Sequence, residues 1–298
     1  MPNGGSVLMK QLSASCSPPN VSFRQLGNLH IATEPNRTYG MHDLALLFML
    51  PSITTLTVDL AALNRTEEQR SAPIEAIWRC CSRSSTIQEL NLERCGLPAP
   101  WISAMVTSCE VLKHFHHEHY YWDVDAAYYA HIFQALTIHQ ETLSYVRTNE
   151  INGCKVDAAH QSDPAEPLSF EHFRSLTHLD IPLFNFASRT QHCSVDRLLP
   201  PSLRVLTLDV RSAREGFSDN FFMSLADAAH RHLPRLKSIE VICRIEEYRE
   251  DGYLPLHFCH LRRVFASYGI ELSYFLEFVQ CEFKAAYMGH LLANMRLS

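Results

Sequence analysis

The chain has 298 residues, more than one compact core usually fills, so its length permits two globular domains or one elongated array of repeats. With 46% hydrophobic and 19% charged residues and only 10 Gly, it is not a largely disordered, collagen-like or low-complexity protein. A net charge of −6, from 26 Lys+Arg against 32 Asp+Glu, leaves no global positive field to collect phosphate backbones, so nucleic acid is not an expected partner.

In chain order, residues 1–20 come first, with a single Lys and no apolar run of signal-peptide length; they read as a flexible N-terminal segment. No later stretch approaches the roughly 18 apolar residues of a membrane span, so a cytoplasmic or nuclear location and no membrane partner are expected. From residue 21 to 298 one spacing keeps returning. Ile87-x-x-Leu90-x-Leu92-x-x-Cys95-x-Leu97 matches the pattern L-x-x-L-x-L-x-x-N/C-x-L at every specified position. Its L-x-x-L-x-L core recurs at Leu26/Leu29/Ile31, Ile53/Leu56/Val58, Leu176/Leu179/Ile181, Leu203/Leu206/Leu208 and Leu236/Ile239/Val241. Degraded copies stand at Leu112/Phe115/His117 and Leu143/Val146/Thr148. The offsets between copies run 27, 34, 25, 31, 33, 27 and 33, enough for a strand plus a helix in each unit.

Between the copies, Met41–Leu50, Pro73–Cys81, Pro100–Cys109, Asp125–Gln140, Ser218–His232 and Leu256–Tyr268 carry helical spacing. Pro51, Pro201 and Pro234 fall just before the next strand, where proline ends a helix without costing a ladder hydrogen bond. Residues 152–168 keep neither period and read as an inserted loop. A last strand near Ile270–Phe278 and an apolar tail, Phe283–Leu297, would cap the exposed end of the core.

Strand starts such as LPPSLRVLTLDV and LPRLKSIEVICR resemble the ribonuclease-inhibitor-like leucine-rich repeat superfamily and, within it, the fungal F-box/leucine-rich repeat proteins. The resemblance covers about residues 21–280. It implies an α/β fold: a curved, right-handed solenoid with a parallel concave sheet of about 8–9 strands and helices on the convex side. It also implies protein recognition, often of ubiquitin-ligase substrates. No F-box-like helical segment is recognised near the N-terminus, so the adaptor-binding half of such proteins is not expected here, and a ligase adaptor as partner stays an open question.

Positions 1, 4 and 6 of the pattern point into the core, so 3, 5 and 7 lie on the opposite side of each strand. These positions carry seven carboxylates, Asp59, Glu89, Glu93, Glu118, Asp180, Asp209 and Glu240, against a single Arg147. A non-catalytic face binding a basic protein partner is therefore expected, centred on Glu89, Asn91, Glu93, His114, His116, Glu118, Tyr145 and Arg147. The neighbouring carboxylates should also favour the charged forms of His114 and His116. Ordinary solvated strand positions would give the same pattern.

The run His114-Phe-His-His-Glu-His119 raises a rival reading, a metal- or thiol-dependent hydrolase. His116-His-Glu118 has the H-x-E form, but P-C-x-x-C, HExxH and HxxEH are all missing. His114, His116 and Glu118 spread over about 13 Å of strand, too far for one small ion to be chelated by that strand alone. A polar recognition patch and a structural histidine–aromatic cluster remain open beside it, and no cofactor or metal is expected. The ten cysteines contain no CxxC pair and read as reduced core thiols, Cys95 among them at an inward position. The three sequons at Asn20, Asn36 and Asn64 read as chance matches. Nucleophile-elbow, P-loop and dinucleotide motifs are missing, so no enzyme class gains support.

Overall fold

The computed structural model describes residues 26–32, 41–59, 74, 78, 80–119, 126–150, 169–182, 198–210, 219–246 and 258–279. The expectations for 1–20, 152–168, the 283–297 tail and most of 73–81 lie outside these residues, as do the three sequons. Each copy of the spacing holds a strand: β1 (Asn28–Ala32), β2 (Thr55–Asp59), β3 (Glu89–Cys95), β4 (His114–His119), β5 (Tyr145–Glu150), β6 (His178–Pro182), β7 (Val205–Val210) and β8 (Ser238–Glu246), with β9 (Glu271–Val279) after the last. All nine pair in parallel, in sequence order, as one open sheet. Five helices are described: α1 (Met41–Leu47), α2 (Ala99–Ser108), α3 (Ala126–Leu136), α4 (Asp219–His232) and α5 (Phe258–Ser267), each lying in sequence between two consecutive strands. Parallel neighbours need crossover connections, and five of the eight carry a helix among the described residues. None of the described helices is long and apolar enough to cross a membrane.

Register follows the apolar spacing. Leu29, Leu56, Leu90, Phe115, Val146, Leu179, Leu206, Ile239 and Leu272 stand side by side in one row across the sheet. From Leu56 onward every member of that row is at most 2% exposed. A slip of one residue would turn a whole strand's apolar set to the opposite face, so the burial of this row holds the register. Burying each of these side chains stabilises the fold by roughly 1.5–3 kcal/mol. Buried residues of all five helices join the row in one core that runs from Ile31 to Leu272.

A second, polar ladder runs along the strand entrances. The amide of Thr54 donates to the Gly27 carbonyl at 2.7 Å, Gln88 to Thr54 at 2.7 Å, Lys113 to Gln88 at 2.8 Å, Ser144 to Lys113 at 2.8 Å, Thr177 to Ser144 at 2.9 Å, Arg204 to Thr177 at 2.8 Å and Lys237 to Arg204 at 2.8 Å. Hydroxyls of Thr54, Ser144 and Thr177 donate to the same carbonyls. Each unit thus enters the sheet on its predecessor's backbone, which gives these entrance amides their partners.

Candidate functional site

Opposite the core, positions 3, 5 and 7 of successive strands form three rows, polar apart from Val205 at position 3 and Ala32, Pro182, Ile242 and Phe275 at position 7. One is Asn28, Thr55, Glu89, His114, Tyr145, His178, Val205, Ser238 and Glu271; the next is His30, Thr57, Asn91, His116, Arg147, Asp180, Thr207, Glu240 and Ser273. All eight residues singled out from the sequence therefore lie on one face, on β3, β4 and β5. Cross-strand bonds tie its near side together: Thr55 Oγ1 donates to Glu89 Oε2 at 3.2 Å and Asn91 Nδ2 to Thr57 Oγ1 at 3.2 Å.

The face is less uniformly negative and less open than strict alternation implies. A register shift between Leu92 and Cys95 places Arg94 outward beside Glu93, with φ 50°. Its Nε donates to Asp59 Oδ1 at 2.8 Å and its Nη2 to Asp59 Oδ2. Asp59 is 7% exposed, so this ion pair neutralises a buried carboxylate, and Arg147 is not the face's single cation. Glu93 and Glu118 also lie close enough to act on the Arg94 charge. His30, Asp59 and Glu93 present ligand atoms within 4.8 Å of one another, yet Asp59 already holds the guanidinium. Towards the ends of β5 and β7, Asn149 and Asp209 are each 2% exposed, so these face positions are not solvated.

On the central strands the rings of His114 and Tyr145 lie 5.8 Å apart, and those of Tyr145 and His178 6.1 Å, an aromatic row edged by Glu89, whose Oε1 is 3.7 Å from His114 Nδ1. Arg147 is held from two sides. Its Nε meets Asp180 Oδ2 at 3.1 Å. With its amide turned to satisfy both ends, Asn149 accepts from Arg147 Nη2 at 2.8 Å and Nε at 2.7 Å while donating to the Thr148 carbonyl at 3.0 Å. His116 sits beside this guanidinium, and burial first, then the Arg147 charge, lower its pKa to about 4. The expectation that carboxylates keep His116 charged is thereby overturned: desolvation and a neighbouring cation outweigh them.

Beneath the face, the run divides as strand alternation requires. Phe115, His117 and His119 turn into the core, away from His114, His116 and Glu118. Tyr128 of α3 closes over them, donating its hydroxyl proton to the Leu97 carbonyl at 2.9 Å. Its oxygen lies 3.1 Å from His117 Nε2 and 3.0 Å from His119 Nδ1, so both of these nitrogens carry the proton and donate. His117 is fully buried, and desolvation holds its pKa well below the ordinary value. The run's ligand-capable groups therefore split between a polar face and an aromatic core cluster. Cys95 and Cys109 are also core residues, each 0% exposed, and burial pushes the Cys109 thiol up to about 12. No protein-family model matches the sequence, and no curated protein matches it.

Arg94, Asn149, Tyr128 and His178 were not singled out from the sequence. For Arg94 the available signal was Cys95: an inward residue two places after an outward Asn91–Glu93 alternation needs one extra residue, which exposes Arg94. The Arg147–Asn149 contact follows from i, i+2 on one strand face. Tyr128 left no such trace, because helical spacing alone does not say which strand lies below.

Proposed function

We propose that the protein is a leucine-rich repeat solenoid of the ribonuclease-inhibitor-like kind, a non-catalytic module that binds a basic protein partner on the face of its sheet opposite the helices. In this reading the crossovers are right-handed, as such connections almost always are, and the polar face is the concave one. The observation that carries it is the face itself. Nine paired strands present a largely polar face on which Asp59, Glu89, Glu93, Glu118, Asp180, Asp209, Glu240 and Glu271 stand against Arg94 and Arg147. With Asp59 and Asp180 internally paired, Glu89, Glu93 and Glu118 supply the field, and the His114–Tyr145–His178 row supplies contact area. Arg147, fixed by Asp180 and Asn149, offers its remaining donors in a preset orientation, which lowers the entropy cost of engaging a partner.

An affinity pull-down with the full chain, read by mass spectrometry, identifies the partner and shows whether ubiquitin-ligase adaptor subunits accompany it. The decisive step is that partner's affinity for wild type and for Tyr145→Ala/Glu93→Ala/Glu118→Ala. The triple variant should bind at least about tenfold more weakly, since one buried aromatic anchor alone is worth more than about 1.4 kcal/mol. Unchanged affinity would move the site off this face.

A further inference from the structure

We infer that one ordered water molecule is built into the core between β4 and β5, bridging His117 Nδ1 and Thr148 Oγ1. His117 and Thr148 are register partners, both at position 6, both 0% exposed. His117 Nδ1 and Thr148 Oγ1 are both buried without a hydrogen-bond partner. Chemistry fixes what each lacks. Because Tyr128 spends its proton on the Leu97 carbonyl, His117 must donate from Nε2, which leaves Nδ1 a bare lone pair in need of a donor. The β3 neighbour of His117 is Leu92, fully buried and with no polar side-chain atom to offer. Thr148 holds a hydroxyl that can both give and accept, on a strand about 4.8 Å away. A water between the strands donates one proton to Nδ1 and exchanges the second bond with the hydroxyl, giving it two polar partners and relieving two orphaned groups at once.

This hydration site lies directly beneath His116 and Arg147, which flank His117 and Thr148 in sequence and turn to the polar face. It would extend the chain Leu97–Tyr128–His117 across the β4–β5 junction, so that α3, the segment after β3 and two central strands share one hydrogen-bonded network. The inference is independent of the recognition proposal, since it concerns the opposite side of the sheet.

The test uses the full chain. A high-resolution crystal structure of the wild type should show a water within hydrogen-bonding distance of both atoms, and NMR should show a long-lived water contact to the Thr148 methyl group with the His117 proton on Nε2. Thermal unfolding of Thr148→Val, His117→Phe and the double variant provides the second arm. Each single change strands one orphan, whereas the double change removes both, so the double variant should unfold at a higher temperature than the sum of the single shifts predicts. Three results overturn the inference: a Thr148 hydroxyl bonded directly to Nδ1 with no water between, strictly additive shifts, or stoichiometric zinc that is lost in His117→Phe.

Discussion

Arg94 reaches back across the sheet to grip Asp59 at two points, and it does so from a left-handed backbone with φ 50°. Outside glycine that conformation costs about 1 kcal/mol or more, so the ion pair and the inward seat of Cys95 must together outweigh it. Cys95, 0% exposed with its thiol 3.3 Å from the Val58 carbonyl, supplies the second half of that compensation.

Replacement at this bulge separates the two effects. Arg94→Ala keeps the strain and abandons a buried carboxylate, and should destabilise the protein by ~1–3 kcal/mol in denaturant unfolding. Arg94→Gly loses the same pair but relieves the backbone, so it should be the milder change by about 1 kcal/mol. Equal losses would show that φ at this site carries no cost.

The register is tested by neighbours on opposite faces. Leu206 is 1% exposed in the core row, and Leu206→Ala should cost ~2–5 kcal/mol. Thr207 faces the other way with only a 3.4 Å bond to Glu240 to lose, so Thr207→Ala should stay within about 1 kcal/mol. Equal effects would require the strand to be turned over.

These two residues also mark what the sequence could convey. Alternation with a period of two, repeated eight times, leaves one register that buries the apolar row from Leu56 to Leu272, and the strands follow it from Asn28 to Val279. Departures arise where a contact depends on a partner distant in the chain. Asp59 looks like one more surface carboxylate until Arg94, on the next strand, is turned outward by a bulge. His116 looks like a residue among acids until Arg147 and burial are placed beside it.

Acid should unfold the protein through histidines kept neutral in the fold. His139 shows why: its Nδ1 accepts from the Leu112 amide at 3.3 Å and its Nε2 donates to the Val106 carbonyl at 3.0 Å, so a second proton breaks the first bond. Burial lowers the pKa of His139, with the Arg83 charge also opposing protonation; burial likewise lowers His117, beside His119 and His116, and His116, beside Arg147, to about 4. The unfolded chain protonates such groups near 6.5, so stability is complete above that pH and falls below it. Each group contributes a slope of roughly 1.4 kcal/mol per pH unit until its own folded value is reached. His139→Gln, which can make both bonds without titrating, should flatten the pH dependence of the urea midpoint just below pH 6.5; an unchanged slope would remove His139 from this account.

Thiol chemistry should follow burial. Against the expectation of core thiols throughout, Cys81 and Cys259 are exposed, whereas Cys95 and Cys109 are sealed in the core and the Cys109 thiol is held up to about 12. A thiol-specific reagent at pH 8 should label Cys81 and Cys259 in the native protein and reach Cys95 and Cys109 only after denaturation, as peptide mapping would report. Rapid native labelling of Cys109 would revive the thiol-dependent reading.

The polar face should divide its labour between rate of encounter and duration of contact. Glu93 and Glu118 are half-buried carboxylates whose field extends over the Arg94 region, while Tyr145 lies between two imidazole rings on the row that starts at Asn28. Charges of this kind steer a basic partner over about a Debye length, so Glu93→Gln/Glu118→Gln should slow association and weaken its dependence on salt, with little change in dissociation. Tyr145→Ala should do the reverse, because a rigid ring that fills a partner's surface resists departure and scarcely affects approach. Surface-immobilised kinetics with the partner recovered from the pull-down, at two salt concentrations, separates the two. If the paired glutamine changes left association untouched at low salt while Tyr145→Ala still accelerated dissociation, the row would remain the docking site and the carboxylates would be ordinary solvated strand residues.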